Sequence, residues 1–408
     1  MSDPFAFSAR SYDWRLHSDP EAIERHLPSE VARAGATRAF VVTSPSIAAR
    51  TTTIDRIAAA LGDRYAGAFA AIEVDSTYRS VRAATDAARD AGADLLIAVG
   101  GGSVIVATRV VDVFLCEDGD PFALMTQYPE GKPAYSPRLN APKLPVVNVP
   151  TTPTSAMNRA GSGLANPDLD HRMEYFDPKT RPTAILWDWP ALLATPLGVL
   201  RSTATTTYAA AVSTAANAPA ANPLVEGDRA QLVRLASRAY PRLSAEPDAI
   251  GPRLDLCAAA LLQNRAADDG HPGTDPAAHP FGGDYAISTA LHVLYPHVGQ
   301  GESTSVLQAT VARLDLNPPL DAAHRVAELL DAWREGMSAA EATLAAADAI
   351  ERSYRDAGMP VRIRDLDVSR DHFPRIAEAS LKNFNANQGL RDPEARHTRT
   401  IEILEAAW

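Results

Sequence analysis

The sequence predicts a two-part chain, an α/β domain built on a parallel sheet followed by an all-helical domain. Three observations predict it. Short apolar runs alternate with helical segments between residues 38 and 188. One of those runs, "ADLLIAVGGGS", passes directly into glycines and then a helix. From Trp189 onward the strand-like runs disappear. The expected boundaries are 1–188 for the α/β domain and 189–408 for the helical domain.

Taken in order, "RAFVVTS" (38–44) is a β-branched run ending in a turn, and "TTTIDRIAAALGDR" after it has apolar residues at helical spacing. "GAFAAIEV" (67–74) reads as a second strand. "STYRSVRAATDAARDAG" (76–92) reads as a helix opened by a Ser or Thr cap and closed by Gly92. "ADLLIAVGGGS" (93–103), "LPVVNVPTT" (144–152) and "PTAILWD" (182–188) are further strands, and strand–helix–strand succession implies right-handed parallel crossovers. The turn-rich 117–142 segment reads as a surface loop or lid. Beyond it, Ala/Leu-rich segments such as "DAAHRVAELLDAWREG" and "SAAEATLAAADAIERSYRDAG" are helical, punctuated by Gly and Pro.

Composition narrows the class. The 408 residues carry a formal net charge of -11, and that field repels nucleic acid and anionic membrane surfaces. The two cysteines, Cys116 and Cys257, lie far apart and form no CxxC pair, which argues against a disulfide framework or thiolate metal site. The first residues have neither a basic nor an apolar signal region, and no run reaches the roughly 18 apolar residues of a membrane span. A soluble, cytoplasmic protein is the expectation.

The run "LLIAVGGGSVIVATRVVDV" puts Gly100, Gly101, Gly102 and Ser103 between a strand and a helix. Bare backbone N–H groups and the helix dipole can meet an anion there, and the absent Cβ atoms let it approach closely. A tight turn without ligand gives the same pattern. In "PVVNVPTTPTSAMNRAG" (145–161), Thr151 and Thr152 either bond a phosphate or ribose or simply cap the next turn.

Together, "GGGSVIVATRVV", "VPTTPTSAMN", "ILWDWPALLATP" and the terminal "LEAAW" resemble the group III, iron-containing alcohol dehydrogenase superfamily, above all its maleylacetate reductase branch. The resemblance implies a Rossmann-like dinucleotide-binding domain, a helical domain and an active site in the cleft between them, in a dehydroquinate synthase-like architecture. It implies that Gly100, Gly101, Gly102 and Ser103 hold the pyrophosphate of NAD or NADP, with Thr151 and Thr152 flanking the nucleotide. Ser44 would face the adenosine ribose and favours neither cofactor form. Val106 stands where many members have Asp, and Arg109 where they have Lys. A homodimer acting on a small-molecule substrate is also implied.

Many members hold a divalent ion with an Asp and a His at i, i+4 on the helix after a Thr-Pro start, plus two further His. In "TPLGVLRSTATTTYAAAVST" the resemblance puts Thr206 and Ala210 at those positions. In "YAISTALHVLYPHVGQGES" it puts Ser288 and Glu302 at the other two and His292 beside the nicotinamide; a small shift of register brings His297 or His279 there instead. Hydroxyl and methyl groups are poor ligands for zinc or iron, so no metal is expected. Charge on a developing alkoxide then needs a protein donor. The catalytic candidates are His292, His297, Tyr208, Glu302, Arg159 and Asn158. Each has a plain alternative: a helix-core histidine, a surface cap, a core tyrosine, a helix start, or loop backbone satisfaction for the last two.

The expected activity is metal-independent, NAD(P)H-dependent reduction of a carbonyl or activated C=C in a small organic acid or biosynthetic intermediate. A repurposed non-redox enzyme on the same scaffold (lyase, cyclase, dehydratase or isomerase) is the alternative.

Overall fold

The computed structural model describes residue 9 and residues 12–129, 132–169, 171–217, 222–268, 281–282, 284–316, 318–383 and 392–408. Its chain divides into two units, Tyr12–Pro196 in one and Leu197–Trp408 in the other. His279 and most of the N-terminal segment read above lie outside the described residues.

The first unit is built on β1 (Arg15–Asp19), β2 (Ala39–Thr43), β3 (Tyr65–Phe69), β4 (Leu95–Gly100), β5 (Val146–Pro150), β6 (Gly161–Leu164), β7 (Met173–Phe176) and β8 (Ala184–Asp188). Six of them form a parallel sheet in the order β1-β8-β5-β4-β2-β3, and β6 and β7 pair antiparallel. Its helices are α1 (Ala22–Arg33), α2 (Pro45–Arg50), α3 (Thr53–Leu61), α4 (Tyr78–Asp90), α5 (Gly102–Cys116), α6 (Pro121–Leu124) and α7 (Trp189–Leu193).

The predicted strands form, with one shortened: 67–74 is strand only as far as Phe69, because the chain turns away after β3. β2, β4, β5 and β8 are buried at every position, which is why they read as continuous apolar runs. β1 is an edge strand of mixed exposure with the sequence RLHSD, so it lacks that signal and is an addition to the predicted set. The β6–β7 hairpin is a second addition, its first strand being the glycine-containing GSGL. The core joins Ile23, Leu27 and Val31 of α1 with Val41, Leu95, Ile97, Val147, Val149 and Leu186 of the sheet. Each such aliphatic side chain contributes about 1.5–3 kcal/mol through burial. Thr77 caps α4 by accepting the Ser80 N–H, as its sequence predicts.

The second unit contains α8 (Leu197–Ala215), α9 (Pro223–Ala239), α10 (Arg242–Ala245), α11 (Ile250–Asp268), α12 (Tyr285–Leu294), α13 (Gln300–Ser305), α14 (Gln308–Leu314), α15 (Leu320–Leu329), α16 (Ala339–Asp356), α17 (Phe373–Ser380) and α18 (Pro393–Ala406), and no strand among the described residues. Small alanines let its helices approach closely around Leu200, Tyr208, Val212, Leu232, Tyr240, Ile350 and Tyr354. A second cluster gathers Ile287, Leu291, Val298, Phe373, Ile403 and Leu404. Among the described residues no helix is long and apolar enough to cross a membrane.

Candidate active site

The sheet order locates a candidate ligand site in the first unit. From β2 the chain moves outward to β3, whereas from β4 it moves the other way to β5. The carboxyl ends of β2 and β4 therefore flank a topological switch point, where open α/β sheets bind ligands. Ser44 follows β2 there, and Gly100, Gly101 and Gly102 follow β4.

The glycines are needed for space. A Cβ on Gly100 would lie 2.6 Å from Val104 Cγ2, one on Gly101 3.3 Å from Thr152 Oγ1, and one on Gly102 3.1 Å from Thr154 Oγ1. Gly101 caps α5 with no side-chain hydrogen bond, so the first N–H groups of a 15-residue helix are left for another partner. Thr151 and Thr152 lie alongside because β5 pairs with β4, and the Thr151 N–H donates to Gly100 O at 3.0 Å. Thr152 is 2% exposed, yet its hydroxyl has no hydrogen-bond partner. A buried, unsatisfied hydroxyl beside a Cβ-free helix start has the donors and the space an anion would need. These residues fit a dinucleotide pyrophosphate.

Ser44 is half-buried and its hydroxyl meets that of Ser46 at 3.1 Å. The Ser103 hydroxyl accepts the Asp75 N–H at 3.1 Å, a partner the sequence did not suggest. Asn158 and Arg159 follow β5 around a short turn, Asn158 buried and Arg159 half-buried. Arg109 clamps that turn from beneath: its guanidinium donates to Ala156 O at 2.6 Å, Arg159 O at 2.8 Å and Ser162 Oγ at 2.9 Å. Burial, then the charges of Arg159 and Arg181, push its pKa down to about 9, so it stays charged at neutral pH.

The other candidates lie in the helical unit. Ser202, Thr206 and Ala210 recur every four residues and form a half-buried stripe on α8, while Leu200, Ala204, Tyr208 and Val212 face the core. Glu302 on α13 accepts a hydrogen bond from Ser202 at 2.6 Å, one turn before the expected Thr206/Ala210 pair. Two glycines permit the contact: a Cβ on Gly299 would lie 2.2 Å from Glu302 Oε2, and one on Gly301 2.1 Å from Ser202 O. The glycine spacing in "VGQGES" was the sequence signal for this close seam. Ser288 of α12 shares a 2.8 Å hydrogen bond with Ser303, and Thr206 donates to Thr203 O at 2.8 Å.

His292 is half-buried, and its Nδ1 lies 2.8 Å from Val298 O, so Nδ1 carries the proton. His297 is exposed and its Nε2 donates to Leu366 O at 2.9 Å. Tyr208 belongs to the core: it stacks on Tyr240 at 4.4 Å, and its hydroxyl donates to Ser353 at 3.2 Å. Burial raises its pKa. Thus α12 and α13 carry His292, Ser288 and Glu302, whereas Tyr208 points to the opposite face of α8 and His297 is tied to the 363–366 turn.

Among the described residues no group of three or more His, Cys, Asp and Glu could hold a metal ion. Around Glu302 the donors are hydroxyls already committed to Glu302, Ser303 or backbone oxygen. This donor set does not fit a zinc or iron centre.

The family description "Iron-containing alcohol dehydrogenase" matches residues 16–189, and "Fe-containing alcohol dehydrogenase family, C-terminal" matches residues 215–408. The 1,3-propanediol dehydrogenase of Citrobacter freundii is 26% identical over 351 residues, 83% of this chain and 82% of that protein. The maleylacetate reductase of Burkholderia cepacia is 25% identical over 362 residues, 88% of this chain and 87% of that one. A crystal structure of 1,3-propanediol oxidoreductase superposes with a TM-score of 0.80 at 23% identity, covering 98% of this chain and 100% of that chain. With both family segments matched, the chain belongs to the iron-containing alcohol dehydrogenase family and is an NAD(P)-dependent oxidoreductase of that type.

Proposed function

We propose that the chain is a metal-independent NAD(P)H-dependent reductase of a carbonyl or activated C=C in a small organic acid or biosynthetic intermediate. One observation carries the reading: an anion cradle with an orphaned buried hydroxyl at Thr152, in a chain whose α8–α13 seam offers hydroxyls and one carboxylate instead of metal ligands.

The dinucleotide, when bound, supplies a hydride to the substrate carbon. The chain's part is to hold and to move a proton. Gly100, Gly101, Gly102 and Ser103 bind the pyrophosphate; Thr151 and Thr152 fix the nucleotide; Ser44 meets the adenosine ribose. His292, as an imidazolium whose Nδ1–H is held by Val298 O, gives its Nε2 proton to the developing alkoxide and is left neutral, and Glu302 with Ser202 orients the substrate. Arg159 and Asn158 shape the loop that follows β5. His297 and Tyr208 serve the packing of the helical unit.

Titration with NADH and NADPH, elemental analysis of the native protein, and turnover of maleylacetate and 1,3-propanediol with and without chelator test the reading. Binding of one nicotinamide and chelator-insensitive turnover are expected. A stoichiometric zinc or iron whose removal abolishes turnover overturns the metal-independent part. The alternative non-redox enzyme on this scaffold predicts substrate turnover with no change in nicotinamide absorbance, and the same replaced ligand positions motivate it.

A further inference from the structure

The segment between β3 and α4 holds two consecutive non-glycine residues in the left-handed region, Asp75 at φ 67 and Ser76 at φ 54. Such residues each cost about 1–2 kcal/mol and persist only where surrounding contacts hold them. The contacts here converge on the glycine turn. The Asp75 N–H donates to Ser103 Oγ at 3.1 Å, and the Ser76 hydroxyl donates to Ser103 O at 2.6 Å. Arg172, just before β7, donates one guanidinium nitrogen to the Asp75 carboxylate and the other to Gly163 O at 2.9 Å. Gly163 makes room for this reach, because a Cβ there would sit 2.9 Å from Arg172 Cδ.

We infer that Asp75, Ser76 and Arg172 form a latch that aims the Ser103 hydroxyl at an anion in the glycine turn and offsets the charge of the Asp75 carboxylate. The inference rests on the reading that this turn binds the dinucleotide pyrophosphate. A second observation points to a ligand there: the Thr152 hydroxyl, 2% exposed and unpartnered, lies beside Gly101.

Two physical steps carry it. A serine hydroxyl has one proton and two lone pairs. With the Asp75 N–H on a lone pair, the Ser103 proton has no acceptor among the described residues and is left to donate. Ser103 is half-buried at the first turn of α5, so an anion can reach it. The second step is electrostatic. The left-handed backbone that delivers the Asp75 N–H also brings a carboxylate next to a phosphate cradle, where its negative charge repels the ligand. Arg172 neutralises it. Asp75, Ser76 and Arg172 are thus positioning residues, acting through Ser103 and through charge.

The test is a double-mutant cycle on the full-length protein, read as the dissociation constants of NADH, NADPH and inorganic pyrophosphate by fluorescence titration and competition. Arg172→Ala is expected to weaken all three about tenfold or more, because the Asp75 carboxylate loses the positive charge of its guanidinium partner. Arg172→Ala/Asp75→Asn is expected to recover most of that loss, and Asp75→Asn alone, with Arg172 released, to tighten pyrophosphate binding two- to threefold. Thermal melting of each variant separates this pattern from loss of fold: a purely structural role makes the double variant worse than either single one, which overturns the inference. Equal affinities in wild type, Arg172→Ala and the double variant also overturn it while leaving the cofactor reading intact. Absence of any nucleotide or pyrophosphate binding by the wild-type protein overturns both.

Discussion

The candidate residues of the two units are built from different materials. In the α/β unit the chemistry is carried by backbone: N–H groups at the start of α5, exposed because Gly100, Gly101 and Gly102 lack Cβ atoms. In the helical unit the candidates are side chains, His292, Ser288, Ser202 and Glu302, whose placement depends on which residue of each helix faces which. The first set is damaged by adding atoms, the second by exchanging or removing them.

The largest expected effect attacks the backbone donors. Gly101→Asp puts a side chain and a negative charge into the cradle, and dinucleotide affinity should fall more than about 100-fold, or about 3 kcal/mol. Isothermal titration with NADH and NADPH measures it; near-wild-type affinity would place the nucleotide elsewhere.

The α/β unit also holds a carboxylate whose burial makes stability depend on pH. Asp112 on α5 is fully buried, accepting the Leu144 N–H at 2.9 Å, while nearby Lys143 pairs with Glu117 at 2.6 Å and Asp177 at 3.0 Å. Burial pushes the Asp112 pKa up to about 7. The folded state thus binds a proton that the unfolded state, titrating near pH 4, has released. Stability from this group is full below about pH 4 and declines as pH rises towards 7. Asp112→Asn should remove that slope and raise stability at pH 8 by about 2 kcal/mol. Urea unfolding of both proteins at pH 5.5 and pH 8 measures it; equal slopes for the two would refute the burial effect.

The side-chain candidates should respond to conservative exchange. Glu302→Gln and His292→Asn are each expected to lower turnover about tenfold or more while leaving nicotinamide affinity within about twofold. Steady-state kinetics beside cofactor titration would show it, and a parallel loss of cofactor affinity would argue for a different division of labour. Thr152→Val is a smaller sharpening. Replacing an unpartnered buried hydroxyl by a methyl should leave or slightly raise the melting temperature, yet weaken the dinucleotide about threefold. A destabilised variant with unchanged affinity would return Thr152 to an ordinary structural role.

The same contrast explains what could be read from the sequence. Buried parallel strands announce themselves as apolar runs, and a glycine run after one of them fixes its own place at a strand end. Hence β2, β4, β5 and β8 and the glycine turn were legible. β1 was not, because an edge strand with the sequence RLHSD has no periodic apolar signal. The helical candidates were legible only in part. The sequence singled out Glu302 and Ser288 but not Ser202, which donates to Glu302 from one turn before Thr206. An Ala/Thr helix such as α8 has nearly the same composition on every face, so its sequence does not say which stripe is open. Asp75 and Arg172 left no signal, being brought together by the β6–β7 hairpin from 97 positions apart.

The approach of Gly301 to the Ser202 backbone, 2.1 Å for an added Cβ, bears on how this scaffold could be re-engineered. Residues on α8 can be exchanged one at a time, since they hang from a fixed helix. Gly301 cannot acquire even an alanine unless two helices part. Directed evolution of substrate scope should therefore accumulate changes along 202, 206 and 210 while Gly301 stays invariant.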